Sequence, residues 1–321
     1  MAAEFRYVRV GNPADASRAE TKAGFALMGG GDDLDEAFRF LCDRAGGGDF
    51  LILRATGDDE YNPYVEKLCH VNSVATLIIP NRAAASDQQV VKIVAHAGAV
   101  FISGGDQANY INFWMGTPVQ AALNDAIRRG VPLGGTSAGL AVMGEWAYSA
   151  QGDKPDDPNL DSKTALANPF GPRITLVPGF LDIAILKGII TDTHFAKRNR
   201  MGRLLAFLAR LEKPDGVPAA ATAPHHRGIG VEERAAVLLE PDGTSRVVGA
   251  GCAYFVDTGE ARAESGVVAQ NKPLTFGSYK VQKVAPGHTF NLGTWSGESN
   301  SYALSVSNGK VRSTQAWGAI Y

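Results

Sequence analysis

The chain has 321 residues, 45% of them apolar, and a formal net charge of −2. That length fits one large domain or two smaller ones with a sizeable core, and the near-neutral charge gives no general argument for nucleic acid or an anionic membrane as a partner. No apolar run approaches the ~20 residues of a membrane span, and residues 1–24 lack the apolar core of a secretory signal, which leaves open a cytoplasmic protein or a secreted one without its signal.

In chain order, residues 25–28 (FALM) predict a short buried strand. GGG follows, and then DDLDEAFRFLCDRA, in which Leu34, Phe38 and Leu41 recur at helical spacing. Residues 50–53 (FLIL) predict a second strand, residues 62–71 a helix with Pro63 near its start, and residues 74–79 (VATLII) a third strand. Ser86 is expected to cap a helix running to His96, with Val90, Val91, Ile93 and Val94 as its apolar positions. A fourth strand, residues 100–103, ends in GGDQ. Thr117 and Pro118 open a helix to Arg129, and residues 131–133 form a fifth strand. Apolar strands separated by helices argue a mostly parallel sheet covered on both faces.

Residues 149–173, rich in Pro and Asp, read as a long surface loop or lid. Residues 174–177, the strand GIITDTH from Gly188, and a helix over 198–211 follow. From Gly228 the texture becomes β-rich, with hairpin turns at Asp242-Gly243 and Asn308-Gly309. The last seventy or so residues are expected to add edge strands or a small β-subdomain. Cys42, Cys69 and Cys252 are odd in number and widely spaced, so free thiols are expected, with no disulfide framework and no zinc site.

The fifth strand runs into Gly135-Thr136-Ser137-Ala138-Gly139, a G-x-S-x-G between a strand and a helix. This context suits a nucleophile elbow. Small residues permit the sharp turn, and the helix start aims free N–H groups at the serine. Ala138 N–H is then one candidate oxyanion donor, and Gly105 in ISGGDQ the second. The bland alternative is an ordinary turn with Ser137 as a cap. A serine nucleophile needs a base. His194 ends an apolar strand and so sits at a carboxyl edge, where open α/β sheets place their sites. His70 and His96 read as structural or surface residues, and His225 and His226 as exposed. For the acid, Glu233, Glu232, Asp192 and the loop residues Asp153, Asp156 and Asp157 are all candidates. Lys197, Arg198, Arg200 and Arg203 cluster just after His194 and suit substrate carboxylates, or form a solvated helix start.

SGGDQ, GTSAG, DTHFAKRNRMGRLL and GIGVEE, in that order along the chain, resemble the cyanophycinases. These belong to the serine peptidase family that also contains dipeptidase E, on a scaffold similar to class I glutamine amidotransferases. The resemblance covers roughly residues 24–239 and implies an α/β three-layer sandwich with a mostly parallel central sheet; the β-rich tail from about Gly249 goes beyond the compact cyanophycinases. The chain is read as an arm (1–23), a catalytic domain (24–248) and a β-rich C-terminal extension (249–321). It implies a triad of Ser137, His194 and Glu233, with Gln107, Asp192, Arg198, Arg200 and Arg203 as pocket residues. Thr193 stands where the family commonly has Gln, and Leu140 where a small residue is common, so both reshape the pocket. The implied substrate is cyanophycin, a poly-aspartate backbone with arginine on each side chain, cut to β-Asp-Arg dipeptides. No cofactor, metal, nucleic-acid or membrane partner is expected, and the resemblance implies a homodimer. Other readings keep the triad on Asp-containing or other short peptides, or take an α/β-hydrolase-type esterase with His288 as base. A further reading is a non-catalytic binding protein whose GGGDDLD loop cradles a ligand. Serine rather than cysteine at the elbow disfavours a glutamine amidotransferase.

Overall fold

Runs of four to six apolar residues bounded by glycine or polar turns are too short for stable helices and pair as strands. The computed structural model describes residues 4–17, 20–154, 156–157, 159–214, 225–259 and 266–321. Its first half runs β1 (Arg6–Gly11), β2 (Phe25–Met28), α1 (Asp35–Arg44), β3 (Asp49–Arg54), α2 (Tyr61–Leu68), β4 (Ser73–Ile78), α3 (Gln88–His96), β5 (Ala99–Ile102), α4 (Gln107–Trp114), α5 (Pro118–Arg128), β6 (Leu133–Thr136) and α6 (Ala138–Ala141). There follow β7 (Trp146–Tyr148), α7 (Ser162–Ala167), β8 (Leu176–Pro178), β9 (Ile189–Asp192), α8 (Met201–Glu212), β10 (Arg227–Val231), β11 (Ala235–Leu239), β12 (Thr244–Gly249) and β13 (Ala253–Asp257). The chain closes with β14 (Phe276–Val284), β15 (Thr289–Asn291), β16 (Ser296–Gly297), β17 (Asn300–Ser307) and β18 (Lys310–Ser313).

The architecture is mixed α/β, with the strands shared between two sheets. The first has the order β1-β4-β3-β5-β6-β2-β11-β12-β15-β16, and β4, β3, β5, β6 and β2 are its parallel centre. Both faces of that centre are covered, which is why its strands read as unbroken apolar runs. Phe50 and Ile52 pack with Phe38 and Val65 of α1 and α2, while Leu51 and Leu53 pack with Val90, Val94 and Leu123 of α3 and α5. The second sheet, β18-β17-β14-β13-β10-β9-β7-β8, is parallel only across β10-β9-β7. Its Ile189, Ile229 and Phe255 join the same buried cluster as Leu27 and Leu53, whereas Ile190 and Tyr254 join Leu204 and Phe207 of α8. Alternation along single strands therefore divides the cores.

Sequence reading expects one central sheet, and nothing in it assigns β9 to a different sheet from β6. The strands beyond Gly249 join both sheets: β13 pairs with β10, and β15 with β12. Turns at Asp242-Gly243 and Asn308-Gly309 connect β11 to β12 and β17 to β18. Two helix starts differ from expectation. The α3 cap is Asp87, whose side chain accepts from the Gln89 N–H at 2.7 Å, and Ser86 instead bonds back to the Arg82 carbonyl. The helix expected from Arg198 starts at Met201, because His194 and Asn199 adopt φ of 47° and 50°, left-handed values that a helix does not admit.

The cysteines also correct the sequence reading. Cys42 of α1 and Cys69 just after α2 form a disulfide, and Cys252 alone is a thiol. The two helices lie side by side on one sheet face and bring the Cα atoms to 5.7 Å, inside the range a disulfide requires. A separation of 27 residues hides that proximity from sequence. Among the described residues, no helix is long and apolar enough to cross a membrane.

Candidate active site

The turn from β6 into α6 must pass close under β5, and this sets its composition. A Cβ at Gly139 would lie 2.0 Å from the Ile102 carbonyl oxygen, so no side chain fits. Ser137 itself has φ 52° and ψ −116°, a sparsely populated conformation that the surroundings must impose. Its side chain stands at the carboxyl end of β6. The Ser103–Gly104 turn after β5 packs beside it, held by the Tyr110 hydroxyl at 2.9 Å from the Ser103 carbonyl oxygen.

His194 arrives from the carboxyl end of β9, in the other sheet. The two edges meet through the loop after β2: the His194 N–H donates to the Gly29 carbonyl at 2.8 Å. Glu233 lies where the chain leaves β10 in the second sheet and enters β11 in the first. Arg234, with φ 58°, makes that turn, and its N–H donates to the Gly30 carbonyl at 2.9 Å. Three segments from two sheets thus converge on the Gly29–Gly31 loop.

Ser137 Oγ lies 2.7 Å from His194 Nε2, and His194 Nδ1 lies 2.8 Å from Glu233 Oε1. The imidazole is buried and its pKa is lowered, first because burial disfavours its charged form and further by Arg198 and Arg200; the Glu233 hydrogen bond opposes this. The same hydrogen bond holds the Glu233 carboxyl below its ordinary value. The other candidate acids are engaged elsewhere. Glu232 accepts from the Tyr254 hydroxyl and the Cys252 N–H, Asp192 pairs with Arg203, and Asp153 and Asp157 pair with Arg173. Asp156 is exposed in the loop. His225 and His226, expected to be exposed, are half-buried beside Asp257 and Glu212.

The glycine loop after β2 is not an open cradle, contrary to one reading of the sequence. A Cβ on Gly30, where φ is +94°, would meet His194 Cε1 at 2.4 Å and Nε2 at 2.6 Å. The imidazole fills the space that glycine leaves. Sequence reasoning missed this role; the triple glycine was visible, but not what occupies it. Gly30→Ala should move the ring, and misplacing a reacting group by about 1 Å costs on the order of 100-fold. The check is the rate at which a fluorophosphonate labels Ser137; a rate within about twofold of the parent would show that the ring has room to spare.

A cavity of about 560 Å³ opens beside Ser137, lined among others by Gly105, Gln107, Ala138, Thr193, Arg198, Arg200 and Arg203. Among the described residues, no hydrogen bond takes up the N–H of Gly105 or of Ala138. Thr193 acts on Arg200: its carbonyl and Oγ1 each accept from Nη1 at 3.0 Å, and Asn159 Oδ1 accepts from Nη2 at 2.6 Å. Arg200 Nε is buried with no partner among the described residues. Arg203 donates to Asp192 at 2.8 Å through Nε and 2.5 Å through Nη2, and to the Leu160 carbonyl at 3.2 Å through Nη1. Asp192 therefore orients Arg203, and Arg198 is the exposed cation of the three at the cavity. Tyr148 and Asn159 also line it, and no sequence pattern marks them.

The profile of Peptidase family S51 matches residues 54–245, a span holding Ser137, His194 and Glu233. Cyanophycinase from Synechococcus elongatus is 28% identical over 279 residues, covering 83% of this chain and 78% of that protein. Cyanophycinase from a Nostoc species is 31% identical over 223 residues, covering 68% and 65%. Among solved structures, a peptidase from an acI-B1 Actinobacterium superposes with a TM-score of 0.53 at 16% identity, covering 85% of this chain and 98% of that one. That last likeness concerns the fold alone.

Proposed function

The chain belongs to peptidase family S51 and is a cyanophycinase-like serine peptidase, and from this premise we propose that it cleaves cyanophycin through a triad of Ser137, His194 and Glu233. The observation that carries the reading is the unbroken chain of contacts, 2.7 Å from Ser137 to His194 and 2.8 Å from His194 to Glu233.

In this mechanism Ser137 Oγ attacks the scissile carbonyl as His194 Nε2 takes its proton. Glu233 accepts from Nδ1, fixes the tautomer that leaves Nε2 free, and stabilises the imidazolium. The N–H groups of Ala138 and Gly105 receive the oxyanion. His194 then protonates the leaving amine, and water, activated by the same imidazole, releases the acyl group from Ser137. The cavity supports the substrate assignment, since cyanophycin carries free arginine carboxylates. Arg198 and Arg200, which line the cavity, offer them charged donors, and Gln107 at the start of α4 offers a neutral one. An esterase using His288 has less support, because His194 occupies the position against Ser137 Oγ. We read the five parallel strands with helices on both faces as a class I glutamine amidotransferase-like layer. We also take 24–248 as the unit that does the chemistry and 249–321 as its support.

Incubation with purified cyanophycin, followed by mass spectrometry of the soluble products, tests the substrate. Release of β-Asp-Arg dipeptides is expected. A folded, fluorophosphonate-reactive protein that releases none acts on another substrate, with short Asp-containing peptides next to be assayed.

A further inference from the structure

The first N–H groups of a helix have no partners within it and must find them elsewhere. Helix α8 has no side-chain cap at its N-cap residue, Arg200. Two distant elements supply the acceptors. Ser162, opening α7, accepts from the Arg203 N–H at 3.2 Å and donates to the Asn199 carbonyl. The Tyr321 hydroxyl accepts from the Met201 N–H at 2.9 Å and lies 3.2 Å from Asn199 Oδ1 as donor.

Tyr321 is not draped loosely there. Its ring meets Phe195 and Tyr254 edge to face, with centroids 6.0 Å and 5.8 Å away. Phe195 follows His194 in sequence, and Tyr254 donates to Glu232, the neighbour of Glu233. The preceding residue is anchored too, since the Tyr302 hydroxyl of β17 donates to the Ile320 carbonyl at 2.9 Å. The segment gripped in this way, 194–201, carries His194 at one end and both Arg198 and Arg200 within it. Arg200 has side-chain tethers of its own through Thr193 and Asn159. Arg198 is exposed, and its placement depends on the backbone of the turn, where Asn199 has φ 50°.

We propose that Tyr321 is a positioning residue for the active site: by capping α8 and bracing the 194–201 turn, it fixes where Arg198 stands over the cavity beside Ser137. This gives the β-rich C-terminal part a role in substrate binding without contact with the reacting atoms. The proposal rests on reading the Ser137 cavity as the substrate site.

The test compares Tyr321→Phe, which keeps the ring and loses the hydroxyl, with Tyr279→Phe. Tyr279 donates to the Leu205 carbonyl farther along the same helix at 2.9 Å and does not touch the turn. Hydrogen exchange of peptides covering 195–201 and steady-state kinetics on cyanophycin are measured for both. In Tyr321→Phe, exchange there should accelerate about three- to tenfold, the scale of one lost neutral hydrogen bond. KM should rise by a similar factor, with kcat within about twofold of the parent. Tyr279→Phe should leave both the local exchange and KM unchanged. Unchanged exchange at 195–201 in Tyr321→Phe, or an identical pattern in the two variants, would overturn the proposal. If the parent fails to cleave cyanophycin, the substrate assignment falls, while the exchange measurement still decides whether Tyr321 holds the turn.

Discussion

Ser137→Ala should lower kcat by about four to six orders of magnitude while leaving the fold in place. The hydroxyl contacts His194 Nε2, and no core packing rests on it. The strained turn is imposed by the close passage of Gly139 under β5, which the substitution does not touch. The melting temperature should therefore stay within about 2 °C of the parent, as expected for a change that removes no buried contact. A residual rate above the uncatalysed one is expected from the Ala138 and Gly105 N–H groups and from substrate binding, which survive the change. Adding His194→Ala should cost little more, because residues acting as one unit are strongly non-additive. The pH profile is a second signature. In the proposed mechanism the base must be neutral, and burial lowers the His194 pKa from 6.5. In the parent, kcat/KM should hold as pH falls through the ordinary histidine range and decline only below it. In Ser137→Ala that acid limb should vanish from the residual rate. Turnover by the purified variant at the parent rate would remove Ser137 from the mechanism.

The second large effect is on stability. The side chains of Asp192 and Arg203 are each 3% exposed and joined by two hydrogen bonds, with Arg200 Nη1 3.7 Å from the same carboxylate. Asp192 favours the charge on Arg203 against a strong opposing effect of burial. Asp192→Asn leaves that guanidinium buried beside a neutral amide and next to a second arginine. Removing one partner of a buried pair typically costs about 3–5 kcal/mol, a fall in melting temperature on the order of 5–10 °C for a chain of this size. Replacing both members, Asp192→Leu with Arg203→Met, should recover much of the loss, since apolar pairs of similar volume often match or exceed a buried ion pair. Activity should not recover with it, because Arg203 lines the cavity. Thermal unfolding followed by calorimetry checks both variants. If Asp192→Asn melts with the parent, the arginine has found another counter-charge.

The local elements that bring Ser137, His194 and Glu233 together are legible in the sequence. A serine between small residues, after an apolar strand and before a helix, declares a sharp turn, because glycine at Gly139 is the residue that clears the Ile102 carbonyl. Period-two runs with Asp242-Gly243 and Asn308-Gly309 declare hairpins, since those turn residues tolerate the required backbone. These are properties of a few neighbouring residues, so a linear reading reaches them. The remaining features depend on which distant segments meet. The strands of Ser137 and His194 belong to different sheets, and Gly29–Gly31 joins their edges, with the imidazole filling the space at Gly30. Among six candidate carboxylates, Glu233 faces His194 because the chain changes sheets there, while its neighbour Glu232 turns to Tyr254. Cys42 and Cys69 pair because two helices share one face of the sheet, and Tyr321 reaches Met201 across 120 positions. Such contacts follow from the packing of whole layers, whose energy is spread over many side chains and carries no local signature.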